Sequence, residues 1–392
     1  MRRLPRTVPV PVAVRVRVAA LSVGVLALSG GGLAGIASAR PTKLASTAAG
    51  PACQAQQYRQ VPDPAAVPWA QSRMAFTRVW PVTQGAGVTV AVVDSGVDRH
   101  PQLGDAVTDG GDVYQPGGSA RVDAAGHGTL VAGIIAARPA AGVGFAGVAP
   151  AARVLAVKVA EGECATSADA IGAGIEAAIA GGATVVNVSI TSQNPSARLR
   201  QAVLDAQAHS VVVVAASGNE ADSGNPTEYP AALPGVLAVA AIGADGKRAA
   251  FSGTGEQIGV AAPGDAITSL GAQTDGFGVV GGAAGTSFAA PYVTGVAALV
   301  RAEYPDLSAS QVVRRIEATA DHPAAGPDPQ SGWGVVNPYA AVTAVLPEER
   351  QGSMAAATPQ PLSAPAPRAA PPDTATHAAN LVAVGAAAAA GL

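Results

Sequence analysis

Four short segments of the 392-residue chain carry side chains of the kind that acyl transfer uses. Together they supply a carboxylate, an imidazole, an amide donor and a hydroxyl, which a serine nucleophile, its general base and an oxyanion site require. Taken singly, such segments are more often turns, loop histidines or helix caps. Their conjunction predicts acyl transfer through a serine. The segments are Asp94-Ser95-Gly96, Gly126-His127-Gly128-Thr129, Ser217-Gly218-Asn219 and Gly285-Thr286-Ser287.

The elements around these segments predict that they meet at one edge of a sheet. A β-branched run from Val88 to Val93 delivers Asp94 to the end of a buried strand. Alternation of such runs with Ala- and Gly-rich helical stretches predicts an α/β fold, with a mostly parallel central sheet and helices on both faces. Catalytic groups of such sheets collect at the carboxyl ends of the strands. The further runs lie at 154–159, 185–189, 211–216 and 236–241, and the helical stretches include 167–180 and 197–209.

Two of the chemical side chains fall at predicted helix starts. His127 precedes the apolar residues 130–136, and Ser287 opens an apolar stretch that runs to Val300. A serine at a helix N-terminus lies beside unpaired backbone N–H groups, which suit a developing negative charge.

Composition excludes several classes of protein. A net charge of −3 and the absence of a dense Lys/Arg run argue against a nucleic-acid partner. With 49% hydrophobic and 13% charged residues, the chain is not disordered throughout. Its 2 cysteines exclude a disulfide scaffold and a four-thiolate zinc module, but they permit a single bridge.

In these segments the chain resembles the subtilisin-like serine proteases. Residues 90–98, 126–129 and 285–291 are similar to the family's three signatures, in the family's Asp, His, Ser order. The resemblance covers about residues 80–345 and implies a single subtilisin-like domain with endopeptidase activity. It also implies that Ser287 is the nucleophile, His127 its general base and then acid, Asp94 the group that orients the imidazole, and Asn219 an oxyanion donor.

The resemblance further implies that substrate binds as an antiparallel strand along the chain's own edge. The substrate-binding residues would be Ser189, Ile190 and Gly218. The family usually has glycine soon after this serine, whereas Thr191-Ser192-Gln193 follow here. We expect these side chains to narrow the cleft and restrict cleavage to few substrates.

No cofactor is predicted, since this chemistry needs no metal. Many subtilases bind calcium, but the loop 139–144 offers no carboxylate or amide ligand, so no metal site is predicted.

Glu228 falls where the specificity loop of the family would run. A preference for basic substrate side chains is one interpretation of this glutamate, and a solvated surface residue is the favoured one. Asp98 and Asp123 lie near motif residues and either shape the cleft or are solvated loop carboxylates, the favoured interpretation, and no role is assigned to them. The remaining histidines are interpreted as surface or loop residues: His100, His209, His322 and His377.

A narrower resemblance is to the mycosins, membrane-anchored subtilases associated with type VII secretion in actinobacteria. Residues 68–70, 78–81 and 84–87 are similar to their entry segment, and residues 331–341 to their closing segment. This resemblance implies a protein or peptide substrate and a type VII secretion membrane complex as partner. It implies a location on the extracytoplasmic face of the membrane, with free secretion as the alternative.

The ends of the chain predict export and tethering. Residues 1–39 have an Arg-rich start, an apolar stretch and Ala37-Ser38-Ala39, which indicate a signal peptide rather than an uncleaved anchor. An N-terminal extension at 40–86, a catalytic domain at 87–346 and a Pro/Ala-rich linker at 347–380 follow. The apolar tail 381–392 is too short to span a bilayer. It is either a mildly apolar end or the start of a truncated transmembrane helix.

The two cysteines are candidates for one disulfide. Mycosin-like sequences often carry a cysteine just before the histidine motif, where this chain has Asp123-Ala124-Ala125. Cys53 and Cys164 are therefore expected to pair with each other, which an exported protein permits. Two free buried thiols are the alternative.

The leading hypothesis is thus an exported serine endopeptidase of the mycosin kind that cuts few secreted proteins. A second hypothesis is a structural component that stabilises a secretion complex, with proteolysis secondary. A third is a freely secreted degradative subtilase.

Overall fold

A computed structural model describes residues 58–161, 166–272 and 278–350 of the chain. Within these ranges most of the strands belong to one central sheet. In chain order the strands are β1 (Arg59–Gln60), β2 (Thr89–Asp94), β3 (Val107–Asp112), β4 (Arg153–Lys158), β5 (Val185–Val188), β6 (Val212–Ala216), β7 (Val236–Ile242), β8 (Ile258–Pro263), β9 (Ile267–Leu270) and β10 (Val279–Ala283).

The central sheet has seven strands in the order β3-β4-β2-β5-β6-β7-β8. Every neighbouring pair in it is parallel. Strand β2 is flanked by β4 on one side and by β5 on the other. After β2 the chain first forms β3 and β4 on one side, and then β5 to β8 on the other. This reversal of strand order opens a crevice at the carboxyl ends of β2 and β5, which is where α/β sheets bind ligands.

Helices cover both faces of this sheet, as predicted. Because side chains alternate along a strand, Val90 and Val92 pack with helices α2 and α5 in one core, and Ala91 and Val93 pack with α3 and α4 in another. The helices in the described ranges are α1 (Trp69–Met74), α2 (His127–Ala136), α3 (Ala168–Ala180), α4 (Ala197–Ala208), α5 (Thr286–Glu303), α6 (Ala309–Ala318), α7 (Pro338–Thr343) and α8 (Pro347–Arg350).

The structure confirms the α/β class and the five predicted strands, and it adds elements that the sequence pattern did not indicate. Strand β3 reads Val-Thr-Asp-Gly-Gly-Asp and forms an edge of the sheet, so it lacks the apolar run of a buried strand. Strand β8 contains glycine and proline within a fully buried segment. Both are held in place by their neighbours rather than by strand propensity.

The described part of the N-terminal extension packs into the same core. Strand β1 pairs with β10 at the edge of a small antiparallel sheet, β1-β10-β9. Trp80 Nε1 donates to the carbonyl oxygen of Val148 at 3.1 Å, and Phe76 and Val79 are fully buried. Apolar burial therefore joins residues 58–86 to the catalytic domain. The limits of the extension and of the catalytic domain are still predictions from the sequence.

The end of the described chain is held by a buried arginine. The Arg315 guanidinium donates to the carbonyl oxygens of Ala341 and Ala344 and forms an ion pair with Glu349 on α8. The first residues of the predicted linker are thus fixed on the domain surface. Within the ranges that the structure describes, no helix combines the length and apolarity needed to cross a bilayer.

Helix α6 carries a glutamate with a strongly shifted pKa. The helix begins with a capping box, in which the Ser308 and Gln311 side chains each accept from the other's backbone N–H. At its other end, Glu317 approaches Gly259 of β8, and burial raises the pKa of Glu317 to about 7 although Arg314 opposes the shift. The folded chain therefore holds a proton on this carboxyl more tightly than the unfolded chain does.

We expect Glu317→Gln to flatten the pH dependence of stability. A raised carboxyl pKa makes the free energy of unfolding fall as pH rises from about 4.5 to about 7. Glutamine stays neutral, so the variant should gain up to about 3 kcal/mol at pH 8 and little at pH 4. Urea unfolding at both pH values measures this, with the exposed Glu256→Gln as the matched control. Equal gains at both pH values would contradict the assignment.

Candidate active site

Asp94 is the last residue of β2 and is fully buried. Its Oδ1 lies 2.7 Å from His127 Nδ1 and accepts a hydrogen bond of 2.8 Å from the backbone N–H of Ser95. Because a buried carboxylate accepts protons, the geometry assigns the neutral imidazole's proton to Nδ1. The other ring nitrogen of His127, Nε2, then carries a lone pair and can act as a base.

His127 is the first residue of α2, and its ring is almost completely buried. Gly126, with φ 81°, turns the chain into the helix. A Cβ at Gly128 would lie 2.0 Å from the carbonyl oxygen of Gly96, so only glycine lets the turn after β2 touch the helix here. The imidazole also packs on Phe288, with 5.1 Å between ring centroids. These contacts fix the ring between Asp94 and the start of α5.

Ser287 is the second residue of α5, so its side chain lies at the N-terminus of an 18-residue helix. Backbone N–H groups at this position have no partner within the helix, and the helix dipole favours negative charge there. A Cβ at Gly285 would lie 2.9 Å from Ser287 Oγ and 3.3 Å from Asn219 Nδ2. The missing side chain of Gly285 thus leaves the serine and the asparagine facing a shared space.

Asn219 follows β6 and is held in one orientation by Thr286. Its Oδ1 accepts from Thr286 N at 2.8 Å and from Thr286 Oγ1 at 3.0 Å. The same hydroxyl accepts from Gly218 N at 3.1 Å. Because Oδ1 is occupied, the Nδ2 donors of Asn219 point away from Thr286 toward the space beside Ser287. This arrangement can stabilise an oxyanion at the serine.

Two of the predicted substrate-binding residues, Ser189 and Gly218, are hydrogen-bonded to the first turn of α5. Ser189 Oγ donates to the carbonyl oxygen of Ser287 at 2.7 Å and accepts from Asn187 Nδ2 at 2.8 Å. Asn187 was not singled out by the sequence, because it lies inside the run of β5; its Oδ1 accepts from Thr294 of α5 at 2.8 Å. This buried polar chain ties the end of β5 to the helix that carries the nucleophile.

Asp123 is a central structural residue, and its interpretation as a solvated loop carboxylate was wrong. The side chain is fully buried. Oδ2 accepts from the backbone and hydroxyl of Thr129 at 2.8 and 2.6 Å, and Oδ1 accepts from Ser95 Oγ and Gly126 N at 2.8 and 2.9 Å. Burial raises the pKa of Asp123, and the hydrogen bonds from Thr129 and Ser95 oppose that shift. Asp123 therefore joins the start of α2 to the residue after Asp94.

We expect Asp123→Asn to destabilise the fold and disturb the site. The amide nitrogen would replace an acceptor and face two donors, so the free energy of unfolding should fall by about 3 kcal/mol. Urea denaturation measures the loss. Asp245→Asn is the matched control, because Asp245 is exposed and accepts one backbone N–H, that of Lys247, at 3.0 Å. Equal stabilities of the two variants would show that the Asp123 network contributes nothing.

Other residues singled out by the sequence lie elsewhere or have different surroundings. Glu228 is buried, so its interpretation as a solvated surface glutamate was wrong. His100 is a buried loop residue, and burial lowers its pKa. Cys53 and Cys164 lie outside the described residues, so their disulfide remains a prediction. Over the ranges described, no group of three His, Cys, Asp or Glu side chains is placed to hold a metal ion.

The protein has an α/β fold, and the side chains of its site are those of a serine hydrolase. The model of the subtilase family, peptidase S8, matches residues 85–334. The chain belongs to this family and is a subtilisin-like serine endopeptidase.

Relatives of two kinds are similar to this chain in sequence. Mycosin-4 of Mycobacterium tuberculosis (strain ATCC 25618 / H37Rv) is 38% identical over an alignment of 339 residues, and the match covers 75% of this chain and 73% of the relative. Subtilisin DY of Bacillus licheniformis is 39% identical over 260 residues, 66% of this chain and 92% of the relative.

Solved structures agree with the fold. The MycP3 protease from the type VII (ESX-3) secretion system superposes with a TM-score of 0.65 at 32% identity, covering 74% of this chain and 95% of that one. A chain of an intact ESX-5 inner membrane complex superposes with a TM-score of 0.68 at 30% identity, covering 85% of this chain and 91% of that one. The chain is therefore similar both to the MycP3 protease and to a chain of an assembled ESX-5 inner membrane complex.

Proposed function

We propose that the chain is an exported mycosin-type peptidase that works beside a type VII secretion complex and cuts few proteins. The observation that carries the proposal is the buried pair of Asp94 and His127, with 2.7 Å between Oδ1 and Nδ1, whose imidazole packs on Phe288, the residue after Ser287. A carboxylate, an imidazole and a hydroxyl in this relation form the triad of serine proteases.

The proposed reaction begins when Ser287 Oγ attacks the carbonyl carbon of the scissile peptide bond. Nε2 of His127 accepts the hydroxyl proton as the bond forms, and Asp94 stabilises the resulting imidazolium through Nδ1. The carbonyl oxygen gains negative charge and accepts hydrogen bonds from Asn219 Nδ2 and the backbone N–H of Ser287. Donors that are held in position before the reaction stabilise this charge without reorganisation.

The tetrahedral intermediate then collapses and the carbon–nitrogen bond breaks. His127 gives its proton to the leaving amine, and the acyl group remains on Ser287. In the second half, Nε2 removes a proton from a water molecule that attacks the ester, and the same oxyanion donors are used again. The carbon–Oγ bond then breaks, and His127 returns the proton to Ser287 Oγ. Substrate positioning is proposed for Ser189, Ile190 and Gly218, of which Ser189 and Gly218 are hydrogen-bonded to Ser287 and Thr286.

Fluorophosphonate labelling of the purified full-length protein tests this chemistry. We expect one adduct, mapped by mass spectrometry to Ser287, and its loss in Ser287→Ala. His127→Ala should also abolish labelling, because the hydroxyl then lacks its base. A folded wild-type protein that takes no label would refute the assembled triad.

A structural role in the secretion complex is the second candidate. It is favoured by the similarity to a chain within the ESX-5 inner membrane complex. Comparing a deletion strain with a Ser287→Ala strain separates the two roles. Secretion that is kept by the variant but lost on deletion would support the structural role, whereas equal losses would support proteolysis as the essential function. Broad hydrolysis of casein by protein found free in the medium would instead favour a degradative subtilase.

A further inference from the structure

The site contains a buried carboxylate that the proposed reaction does not use. Glu228 is only 5% exposed. It lies between two segments that continue the neighbouring strands β5 and β6 beyond their carboxyl ends. Backbone hydrogen bonds of 2.9 Å in both directions between Ser192 and Tyr229 fix Glu228 beside the first of these segments. The second segment contains Gly218.

The gap between these two segments opens beside the nucleophile. On one side Ser189 Oγ donates to the carbonyl oxygen of Ser287 at 2.7 Å. On the other side Gly218 N donates to Thr286 Oγ1 at 3.1 Å. Both walls of the gap are therefore fixed to the first turn of α5. A substrate side chain next to the attacked carbonyl would enter this gap.

The Glu228 side chain occupies the gap. A Cβ at Gly218 would lie 2.5 Å from Glu228 Cγ, so the glutamate packs directly on the glycine. Its carboxyl group is hydrogen-bonded by the side chains of Thr191 and Gln193. Gln193 Nε2 also donates to Glu220 Oε2 at 2.7 Å and so crosses between the two segments. The gap has a filled floor and a polar side chain across its mouth.

These surroundings disfavour a basic substrate side chain. A pocket that selects lysine or arginine needs an ionised carboxylate that is open to the ligand. The carboxyl of Glu228 is already hydrogen-bonded to two side chains of the first segment. Burial raises the pKa of this carboxyl, the two hydrogen bonds oppose the shift, and the negative charge of Glu220 adds to it. A large apolar side chain is disfavoured as well, because it would have to displace Glu228.

We propose that Glu228 closes the side-chain slot beside Ser287 and limits the residue at the attacked carbonyl, P1, to glycine, alanine or serine. This inference deepens the proposed function, because it takes the gap to be the P1 site of the same peptidase. The restriction follows from size, so a neutral side chain of the same volume preserves it. Removal of the side chain relieves it.

Tetrapeptide p-nitroanilides that differ only at P1 test the proposal with the full-length protein. For the wild type we expect kcat/KM for alanine to exceed those for phenylalanine and lysine by about 10- to 100-fold. Glu228→Gly should raise the phenylalanine value to at least the alanine value. Glu228→Gln should keep the wild-type ranking, because its side chain has the same size.

Three results would overturn the proposal. They are a wild type that cleaves after phenylalanine as fast as after alanine, a preference for lysine that disappears in Glu228→Gln, and an unchanged ranking in Glu228→Gly. Should Glu228→Gly fail to fold, the wild-type ranking alone decides the question.

A binding measurement separates this inference from the proposed activity. Titration calorimetry of Ser287→Ala with acetylated tetrapeptides that end in alanine or phenylalanine needs no catalysis. Binding of the alanine peptide at least about 10-fold tighter supports the slot even if no peptide is cleaved by the wild type. Equal or undetectable binding of both peptides contradicts it.

Discussion

His127→Ala is expected to lower kcat about 10⁶-fold while the fold and peptide binding are kept. In subtilisin, a member of this family, loss of the serine or the histidine has an effect of that size, and we expect the same order here. The physical reason lies in the proton on Ser287 Oγ. Without Nε2 no group held by Asp94 can accept this proton as the carbon–oxygen bond forms. Burst-phase and steady-state kinetics on an alanine p-nitroanilide measure the loss.

The matched control is His209→Ala. His209 lies just after α4 and shortly before β6, so it is at the amino ends of the strands, away from the site. Its ring is exposed and contacts the carbonyl oxygen of Asp205 at 2.8 Å. We expect this variant to retain wild-type kcat. Comparable activity of the two variants would exclude His127 as the general base.

Asp94→Asn is expected to lower kcat about 10⁴-fold with little change in peptide binding. The carboxylate at 2.7 Å holds the imidazole proton on Nδ1. Asparagine removes the negative charge that holds this proton, and an asparagine with its amide nitrogen at the Oδ1 position gives the ring a donor in place of an acceptor. A donor near the ring would move the imidazole proton to Nε2, where it blocks base catalysis.

Nitrogen-15 NMR of the histidine ring tests this mechanism apart from any structural damage. In the wild type we expect Nδ1 to be protonated, and in Asp94→Asn we expect Nε2 to be protonated. Asp98→Asn is the control, because Asp98 Oδ1 accepts from the backbone N–H of Arg99 at 2.8 Å within its own turn. An unchanged tautomer with a large loss of kcat would require another explanation of the role of Asp94.

The sequence predicted the parts of the site that lie at the ends of strongly patterned elements. A β-branched run ending in aspartate, and two apolar helices preceded by Gly-His-Gly and Gly-Thr-Ser, place three side chains by local rules alone. Parallel strands then bring their carboxyl ends to one edge, so the meeting of these groups could be anticipated. Asp123 was missed because a single aspartate in a loop has no local pattern. Its role depends on donors from Ser95, Gly126 and Thr129.

The sequence by itself determined the α/β class, the order of the main strands and helices, and the residue types that can carry acyl transfer. Hydrophobic periodicity and the residues that begin or end helices and strands involve only a few neighbouring positions, so they can be recognised without the fold. The tertiary structure alone decided which polar side chains became buried partners. Glu228 fills the gap beside Ser287 because Ser192 and Tyr229, distant in sequence, pair there. Such contacts depend on long-range packing, which no local pattern encodes.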